Sequence, residues 1–311
     1  MKSAEIILKK CMHTGKNEVV LIVTDQNKLE LAKPFLSCAA GIAKMAVMIT
    51  MKPRRIDGEE PPRNIAVAMK NADVVLILTT RSLSHTNARK EACKAGARIA
   101  SMPGITADIL KRAIDVDYRK LAVANNMIAA MLTRAAKLRI TSKGTNLTFS
   151  IKGRKGMVDS GIYDKKGKWG NLPAGEVAVA PVEGSANGVY VVDASQSGIG
   201  KLSAPLKVIV KDGYAVKFEG KYAAQMNKLV KGLGKSARNI AELGIGTNPK
   251  AKITGCVLED EKVLGTCHVA IGNNLSLGGR TNAKCHLDGV IRNPTMWLDS
   301  RKTIEKGKLL L

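Results

Sequence analysis

Apolar runs alternate with helical stretches over roughly the first 140 residues, and this alternation limits the folds open to the chain. The runs that read as strands are rich in Val, Ile and Leu and cover residues 18–25, 45–50, 72–80 and 97–104. Helical stretches lie between them, at about 26–41 and 85–95. Apolar strands separated by helices are typical of a parallel sheet covered on both faces. The pattern predicts a Rossmann-like α/β domain with an open parallel sheet.

The pattern changes near Lys137. From LRITSKGTNLTFSIKGR onwards, polar and apolar residues alternate, and Gly-rich turns recur to about Gly220, as in antiparallel β structure. One helix is predicted at 221–243, after which strands resume. We therefore expect an α/β protein with a Rossmann-like domain at 1–136 and a mainly antiparallel α+β domain at 137–311, which would bind metal and carry the catalytic site.

Two histidines and an aspartate mark the candidate site in the second domain. His286 and Asp288 are two positions apart in AKCHLDGVI, so on a strand both side chains leave the same face. His268 lies in TCHVAIG, and the chain has only four histidines in all. Two imidazoles and a carboxylate suit zinc, manganese, cobalt or iron(II). Cys267 and Cys285 offer a Cys2His2 zinc site as an alternative, but adjacent strand residues point to opposite faces, so we expect packed thiols instead.

The formal charge of +24 raises a different class, nucleic-acid-binding proteins. The lysines are dispersed, however, aromatic residues make up only 3% of the chain, and no nucleic-acid-binding motif is evident. We expect a solvated basic surface and no nucleic-acid partner. The apolar runs are too short to cross a bilayer, no signal peptide is evident and the six cysteines lack CxxC spacing. These features predict a cytoplasmic protein without membrane association.

The loops after the predicted parallel strands are candidates for ligand contact, since ligands bind beyond the carboxyl ends of such strands. Ser84 and His85 lie in one of them, TTRSLSHT, although we favour a helix cap at Ser84 or Thr86 and an exposed His85. No GxGxxG follows the first strand, so no dinucleotide cofactor is expected.

Four stretches together resemble the aminopeptidase T family of metallopeptidases. They cover residues 171–188, 241–249, 259–274 and 285–291. The resemblance implies an N-terminal α/β domain, a C-terminal metal domain, a homodimer and two divalent ions. The metal-site residues that it implies are Glu176, Glu242, His268, His286 and Asp288.

On this resemblance, we expect a metal-dependent aminopeptidase that hydrolyses N-terminal residues from peptides with zinc, cobalt or manganese. Glu176 or Glu242 would take the proton of the attacking water. Both lie in Gly-rich apolar surroundings, where a buried carboxylate without a partner is costly and a cation would compensate it. Three further acids could bind the substrate's amino group, although a solvated charge run is the favoured interpretation: Glu259, Asp260 and Glu261.

An alternative function rests on a departure from the peptidase pattern. The peptidases use a tyrosine soon after the first histidine, and residues 269–284 contain none. Related proteins of the same fold are iron(II) dioxygenases that open a dihydroxypyridine ring. They need two histidines and one carboxylate, such as His268, His286 and Asp288. The substrate would then be a small aromatic molecule.

Overall fold

The computed structural model describes residues 2–310, which divide into two compact units. One unit consists of residues 2–122 and 159–174, and the other of 123–158 and 175–310. The domain boundary predicted near Ala136 stays a prediction.

Strands make up most of the regular structure. They are β1 (Val19–Asp25), β2 (Met45–Met51), β3 (Val74–Leu78), β4 (Arg98–Ser101), β5 (Lys137–Ser142), β6 (Thr145–Ser150), β7 (Met157–Asp159), β8 (Trp169–Asn171), β9 (Glu176–Val179), β10 (Asn187–Val192), β11 (Ser195–Gln196), β12 (Gly200–Lys201), β13 (Leu206–Lys211), β14 (Tyr214–Glu219), β15 (Ile240–Gly246), β16 (Thr266–Gly272), β17 (His286–Arg292), β18 (Thr295–Leu298), β19 (Arg301–Glu305) and β20 (Lys308–Leu309).

Most of the α-helices precede residue 135. They are α1 (Lys2–Ile6), α2 (Leu29–Ala40), α3 (Arg63–Lys70), α4 (Asn87–Lys94), α5 (Ala107–Arg112), α6 (Tyr118–Arg134), α7 (Ala223–Val230) and α8 (Val257–Asp260). Within residues 2–310, none has the length and apolar character that a bilayer crossing requires.

The first unit contains a five-stranded parallel sheet in the order β2-β1-β3-β4-β8. Its strands β1 to β4 are the four predicted from the apolar runs, and every residue of β3 is buried. At the loop before α4, the Thr86 side chain accepts a hydrogen bond from the Arg89 N–H at 3.2 Å, so the predicted cap is confirmed for Thr86. Ser84 Oγ instead donates to Ser101 Oγ at 2.9 Å.

The second unit contains two sheets whose described pairings are antiparallel. One has the order β14-β13-β10-β6-β5-β18-β19-β20 and the other β12-β11-β17-β16-β15-β9-β7. One hydrophobic cluster includes residues of both, among them Phe149 and Val208 from the first and Leu243 and Val269 from the second. Cys267 belongs to this cluster, as expected for a packed thiol. The mixed α/β fold class predicted from the sequence is confirmed.

The helix predicted at 221–243 is wrong. Helix α7 ends at Val230, and after one turn of 3-10 helix, strand β15 begins at Ile240. Gly232 and Gly234 adopt positive φ angles of 75° and 79°, which interrupt a helix and which glycine tolerates best. Glu242 therefore lies in a central strand.

Candidate metal centre

The candidate residues share one face of four neighbouring strands. In register, Glu242 of β15 lies opposite Ala270 of β16, which lies opposite Asp288 of β17. His268 and His286 lie an even number of positions from Ala270 and from Asp288, so they point to the same face. Glu176 of β9 lies on this face too, because β9 pairs with β15. The hydrophobic cluster takes up the other face, because alternate residues of these strands are apolar.

Small residues stand opposite these side chains and leave room for them. Gly244 is paired with His268, and a Cβ at Gly244 would lie 2.1 Å from the His268 Nε2 atom and 2.8 Å from a Glu176 oxygen. Gly272 is paired with His286, and a Cβ at Gly272 would lie 2.1 Å from the Cys285 carbonyl oxygen. Gly244 of ELGIG thus leaves room for the His268 ring.

The Glu242 carboxylate lies between the two imidazoles. His286 Nε2 is 2.9 Å from Glu242 Oε2 and 3.2 Å from Asp288 Oδ1. His268 Nε2 is 3.0 Å from Glu176 Oε1 and 3.5 Å from Glu242 Oε1. Glu176, Glu242 and His268 are buried, whereas His286 and Asp288 are half-buried.

Residues 2–310 contain three overlapping groups of possible metal ligands, and within each group the donor atoms lie within 4.8 Å of one another. The groups are Glu176, Glu242 and His268; Glu242, His286 and Asp288; and Glu261, His268 and Asp288. The five residues implied by the resemblance all belong to these groups, and no one group contains both histidines. In these groups the two histidines are connected through Glu242 and Asp288.

Neighbouring groups orient His286 and Asp288. The His286 Nδ1 atom lies 2.8 Å from the Asn273 carbonyl, and because a carbonyl can only accept, Nδ1 carries the hydrogen. The Nε2 atom then faces the carboxylates, and its lone pair would be available to a metal ion that displaces the Nε2 proton, as in many metal-binding histidines. Ser197 Oγ accepts from the Asp288 N–H at 3.1 Å and donates to Asp288 Oδ2 at 3.3 Å.

The electrostatics of the centre favour a cation. Burial lowers the pKa of both imidazoles, but the facing carboxylates outweigh it, so the pKa of His268 and that of His286 lie well above 6.5. Burial likewise raises the pKa of Glu242, yet hydrogen bonds from the two histidines bring it below its ordinary value. Without a metal ion the centre therefore holds protons, which a bound ion would displace.

Sequence reasoning missed Lys262 and the role of Glu261. The Lys262 ammonium contacts Glu176 Oε2 and lies 2.7 Å from Glu261 Oε1. Burial, together with repulsion from Glu176 and Asp288, raises the pKa of Glu261 to about 8. The two residues follow α8 in the chain, and their only sequence signal is an EDEK run just before the metal strand β16.

The favoured reading of this run as solvated charge is wrong. Glu259 and Asp260 are fully buried. The Asp260 carboxylate accepts from the Thr254 and Gly255 N–H groups at 2.7 and 2.8 Å, and Glu259 accepts from the Lys252 N–H at 2.9 Å. These two acids anchor the loop before α8.

The donor set suits a borderline divalent cation. Imidazole nitrogens and carboxylate oxygens are the ligands that zinc, manganese, cobalt and iron(II) accept. Buried carboxylates need a partner charge, and the His268 ring occupies the space beside Gly244 that a Cβ would fill, next to a Glu176 oxygen.

Comparison with known proteins identifies the family. The family model described as NicX, 2,5-dihydroxypyridine 5,6-dioxygenase, matches residues 2–311. The chain belongs to the NicX family. A 2,5-dihydroxypyridine 5,6-dioxygenase of Pseudomonas putida is 24% identical over 266 residues, which are 78% of this chain and 72% of that protein.

Solved structures show the same fold. The 2,5-dihydroxypyridine dioxygenase of Pseudomonas putida KT2440 aligns with a TM-score of 0.83 at 20% identity, over 99% of this chain and 96% of that one. AmpT of Thermus thermophilus aligns with a TM-score of 0.73 at 16% identity, over 100% and 98%.

The NicX match corrects the main functional expectation. The protein has the same fold as AmpT, and the motifs that resemble aminopeptidase T lie in this common fold. The family model that matches residues 2–311, however, is that of the dioxygenase. The prediction of an aminopeptidase, and with it of a hydrolase or protease, is wrong. The family evidence supports the alternative, an oxidoreductase of the dioxygenase type.

Proposed function

We propose that this protein is an iron(II)-dependent dioxygenase that opens the ring of 2,5-dihydroxypyridine or a close analogue between C5 and C6. One observation carries the proposal: the NicX match extends over residues 2–311 and includes a buried cluster of two imidazoles and several carboxylates on one sheet face. Two histidines and one carboxylate form the ligand set of many non-haem iron(II) oxygenases.

His268, His286 and Asp288 would hold the iron, with Glu242 beside both imidazoles. Iron(II) bound there would supply the redox chemistry that dioxygen requires. The Asn273 carbonyl fixes the His286 ring so that its Nε2 atom faces the site. Ser197 fixes Asp288 from the other side.

The remaining carboxylates would handle the substrate's protons. Glu261 belongs to the same donor group as His268 and Asp288, so a hydroxyl group of a bound diol would lie within reach of its carboxylate. Glu176 is paired with Lys262 and His268 and would hold the His268 ring in place. The strand face opposite the hydrophobic cluster thus combines ligands and proton acceptors.

The test is oxygen uptake by anaerobically purified protein loaded with iron(II) and given 2,5-dihydroxypyridine, with loss of the ring's absorbance followed in parallel. We expect both signals in the unaltered protein and at least a 100-fold loss in His286→Ala or Asp288→Ala. His13→Asn is the control, because His13 is exposed and has a φ of 46°, which asparagine accepts.

Release of amine from aminoacyl amides in the presence of zinc, without oxygen uptake on the pyridine, would contradict the proposal. Equal loss of activity in His13→Asn and His286→Ala would also count against it, because the effect would then not be specific to the centre.

A further inference from the structure

An open cleft in the second unit is lined partly by the loop that orients His286. Its walls come from the turn after β6, the loop after β9 and the loop between β16 and β17. The cleft has a volume of about 560 Å³, which lies within the range of small-molecule sites. Its lining includes Lys152, Gly153, Arg154, Glu183, Gly278 and Arg280, none of which belongs to the candidate metal centre.

The charges that line the cleft are mostly positive. Lys152, Arg154 and Arg280 contribute three cations and Glu183 one carboxylate, so the net charge of the lining is +2. The Arg154 guanidinium pairs with Glu183, and its side chain is only 10% exposed. Within residues 2–310, no acid pairs with the Lys152 ammonium or the Arg280 guanidinium, and both residues are exposed. The cleft therefore presents two cations whose charge is not compensated.

Two glycines leave space beside these cations. Gly153 and Gly278 have φ angles of 74° and 78°, a conformation that glycine adopts at no steric cost. A Cβ at either position would meet no atom within 4 Å. Gly153 directly follows Lys152 and Gly278 lies two residues before Arg280, so a ligand can approach both cations without displacing a side chain there.

We propose that this cleft binds a small dianion, a dicarboxylate or a phosphate-type oxyanion, and that its binding strengthens metal binding at the candidate centre. Guanidinium groups bind both kinds of anion through paired hydrogen bonds, and an ammonium group adds a point charge. A dianion neutralises the net charge of +2, whereas a monoanion leaves an excess of positive charge. The proposal goes beyond the proposed function and does not depend on it.

The loop between β16 and β17 connects the cleft with the metal centre. Gly278 and Arg280 of this loop line the cleft, and its Asn273 carbonyl lies 2.8 Å from the His286 Nδ1 atom. A dianion held between Arg280 and Lys152 would restrain the loop in the conformation that orients the imidazole. The metal ion would then bind to a loop that is already ordered. Such coupling is reciprocal, so a bound metal ion must strengthen dianion binding by the same factor.

Isothermal titration with sulfate tests the site. The full chain is first stripped of metal ions with chelator, so that sulfate cannot bind through a metal ion, and NaCl keeps the ionic strength constant. We expect one sulfate per chain and about tenfold weaker binding in Lys152→Gln and in Arg280→Gln, since each variant loses one charged hydrogen-bond donor group. Arg280→Gln keeps the backbone N–H that Glu183 accepts, so the loop stays anchored.

Arg301→Gln is the matched control, because Arg301 is also exposed but lies on β19, outside the lining of the cleft. It should bind sulfate as the unaltered protein does. Titration with succinate and with inorganic phosphate identifies the kind of dianion: tighter binding of succinate indicates a dicarboxylate, and tighter binding of phosphate a phosphate-type ligand. Equal sulfate affinity in the unaltered protein, Lys152→Gln and Arg280→Gln would overturn the proposal, as would an equal loss in Arg301→Gln.

Mn²⁺ affinity tests the connection with the metal centre. Free and bound Mn²⁺ are distinguished by electron paramagnetic resonance, with and without saturating sulfate at constant ionic strength. We expect sulfate to tighten Mn²⁺ binding about fivefold or more in the unaltered protein and in Arg301→Gln. In Arg280→Gln, sulfate at the same concentration should have a smaller effect, while the affinity without sulfate should match that of the unaltered protein.

The same Mn²⁺ affinity with and without sulfate in the unaltered protein would reject the coupling. An equal effect of sulfate in Arg280→Gln would also reject it, because sulfate would then act elsewhere. Neither measurement involves turnover, so a protein that shows both effects but does not cleave dihydroxypyridine would reject the proposed function alone.

Discussion

Gly244 shows how one residue without a side chain determines the geometry of the centre. It faces His268 across the β15–β16 pair, and the imidazole lies where a Cβ would stand. Any larger residue would push the ring away from Glu176 and Glu242. The imidazole's position therefore depends on the glycine as much as on its own strand.

We expect Gly244→Ala to weaken metal binding by on the order of tenfold or more, the usual scale for disturbing the surroundings of a ligand. The added methyl would lie 2.1 Å from the His268 Nε2 atom, so the ring must shift. Isothermal titration with Mn²⁺ measures the effect. Gly41→Ala is the control, since the added methyl would lie no nearer than 3.6 Å to its neighbour, the Cys38 carbonyl oxygen. Unchanged affinity in Gly244→Ala would show that the ring can move without cost.

The sequence predicted part of this centre for clear reasons. His286 and Asp288 are two apart on a strand, so their common face follows from local geometry alone. Glu176 and Glu242 came from a resemblance, because their approach to the histidines depends on the pairing of β9, β15 and β16. Lys262 could not be predicted as part of the site, since its position depends on a close contact with Gly246.

The loop between β16 and β17 depends on one carboxylate outside it. Glu183 Oε1 accepts from Asn274 Nδ2 at 2.9 Å and from the Arg280 N–H at 2.7 Å, while its other oxygen pairs with Arg154. The same loop supplies the Asn273 carbonyl that orients His286. Glu183 thus supports the metal strand indirectly.

This network makes stability depend on pH at the acid end. Burial raises the pKa of Glu183, but the Arg280 N–H, Asn274 and Arg154 outweigh it and bring the pKa below 4.5. A folded-state pKa below the unfolded value means that the stabilisation is present above about pH 4.5 and is lost as the pH falls through the folded-state pKa. Glu183→Gln should therefore lower the melting temperature at pH 7. Between pH 7 and pH 3, the melting temperature of this variant should fall less than that of the unaltered protein. An equal fall in melting temperature between pH 7 and pH 3 in the two proteins would contradict this.

The wrong helix at 221–243 shows where reasoning from local sequence fails. SARNIAEL has ordinary helix formers, yet its second half forms the start of β15. Pairing with β16 on one side and β9 on the other overrides local propensity. In contrast, the parallel strands β1 to β4 were predictable, because continuous apolar runs between helices are typical of strands buried on both faces of a parallel sheet.

At the scale of the whole molecule, the fold does not determine the activity. AmpT and the dihydroxypyridine dioxygenase both align with nearly the whole chain, so motifs that maintain this fold cannot distinguish the two activities. The feature of the sequence that departs from the peptidase pattern is local: residues 269–284 contain no tyrosine.

Metal binding should also stabilise the whole second unit, because its ligands come from β9, β15, β16 and β17 and the unfolded chain cannot gather them. An ion present at about 100 times its dissociation constant adds about 2.7 kcal/mol to the free energy of unfolding. We therefore expect the melting temperature to rise on adding Mn²⁺ to stripped protein and to return on adding chelator. The increment should change little between low and high NaCl, since a buried site is weakly screened. The double variant His286→Ala, Asp288→Ala should show no rise in melting temperature with Mn²⁺. An equal rise in that variant would mean that the ion binds outside the proposed centre.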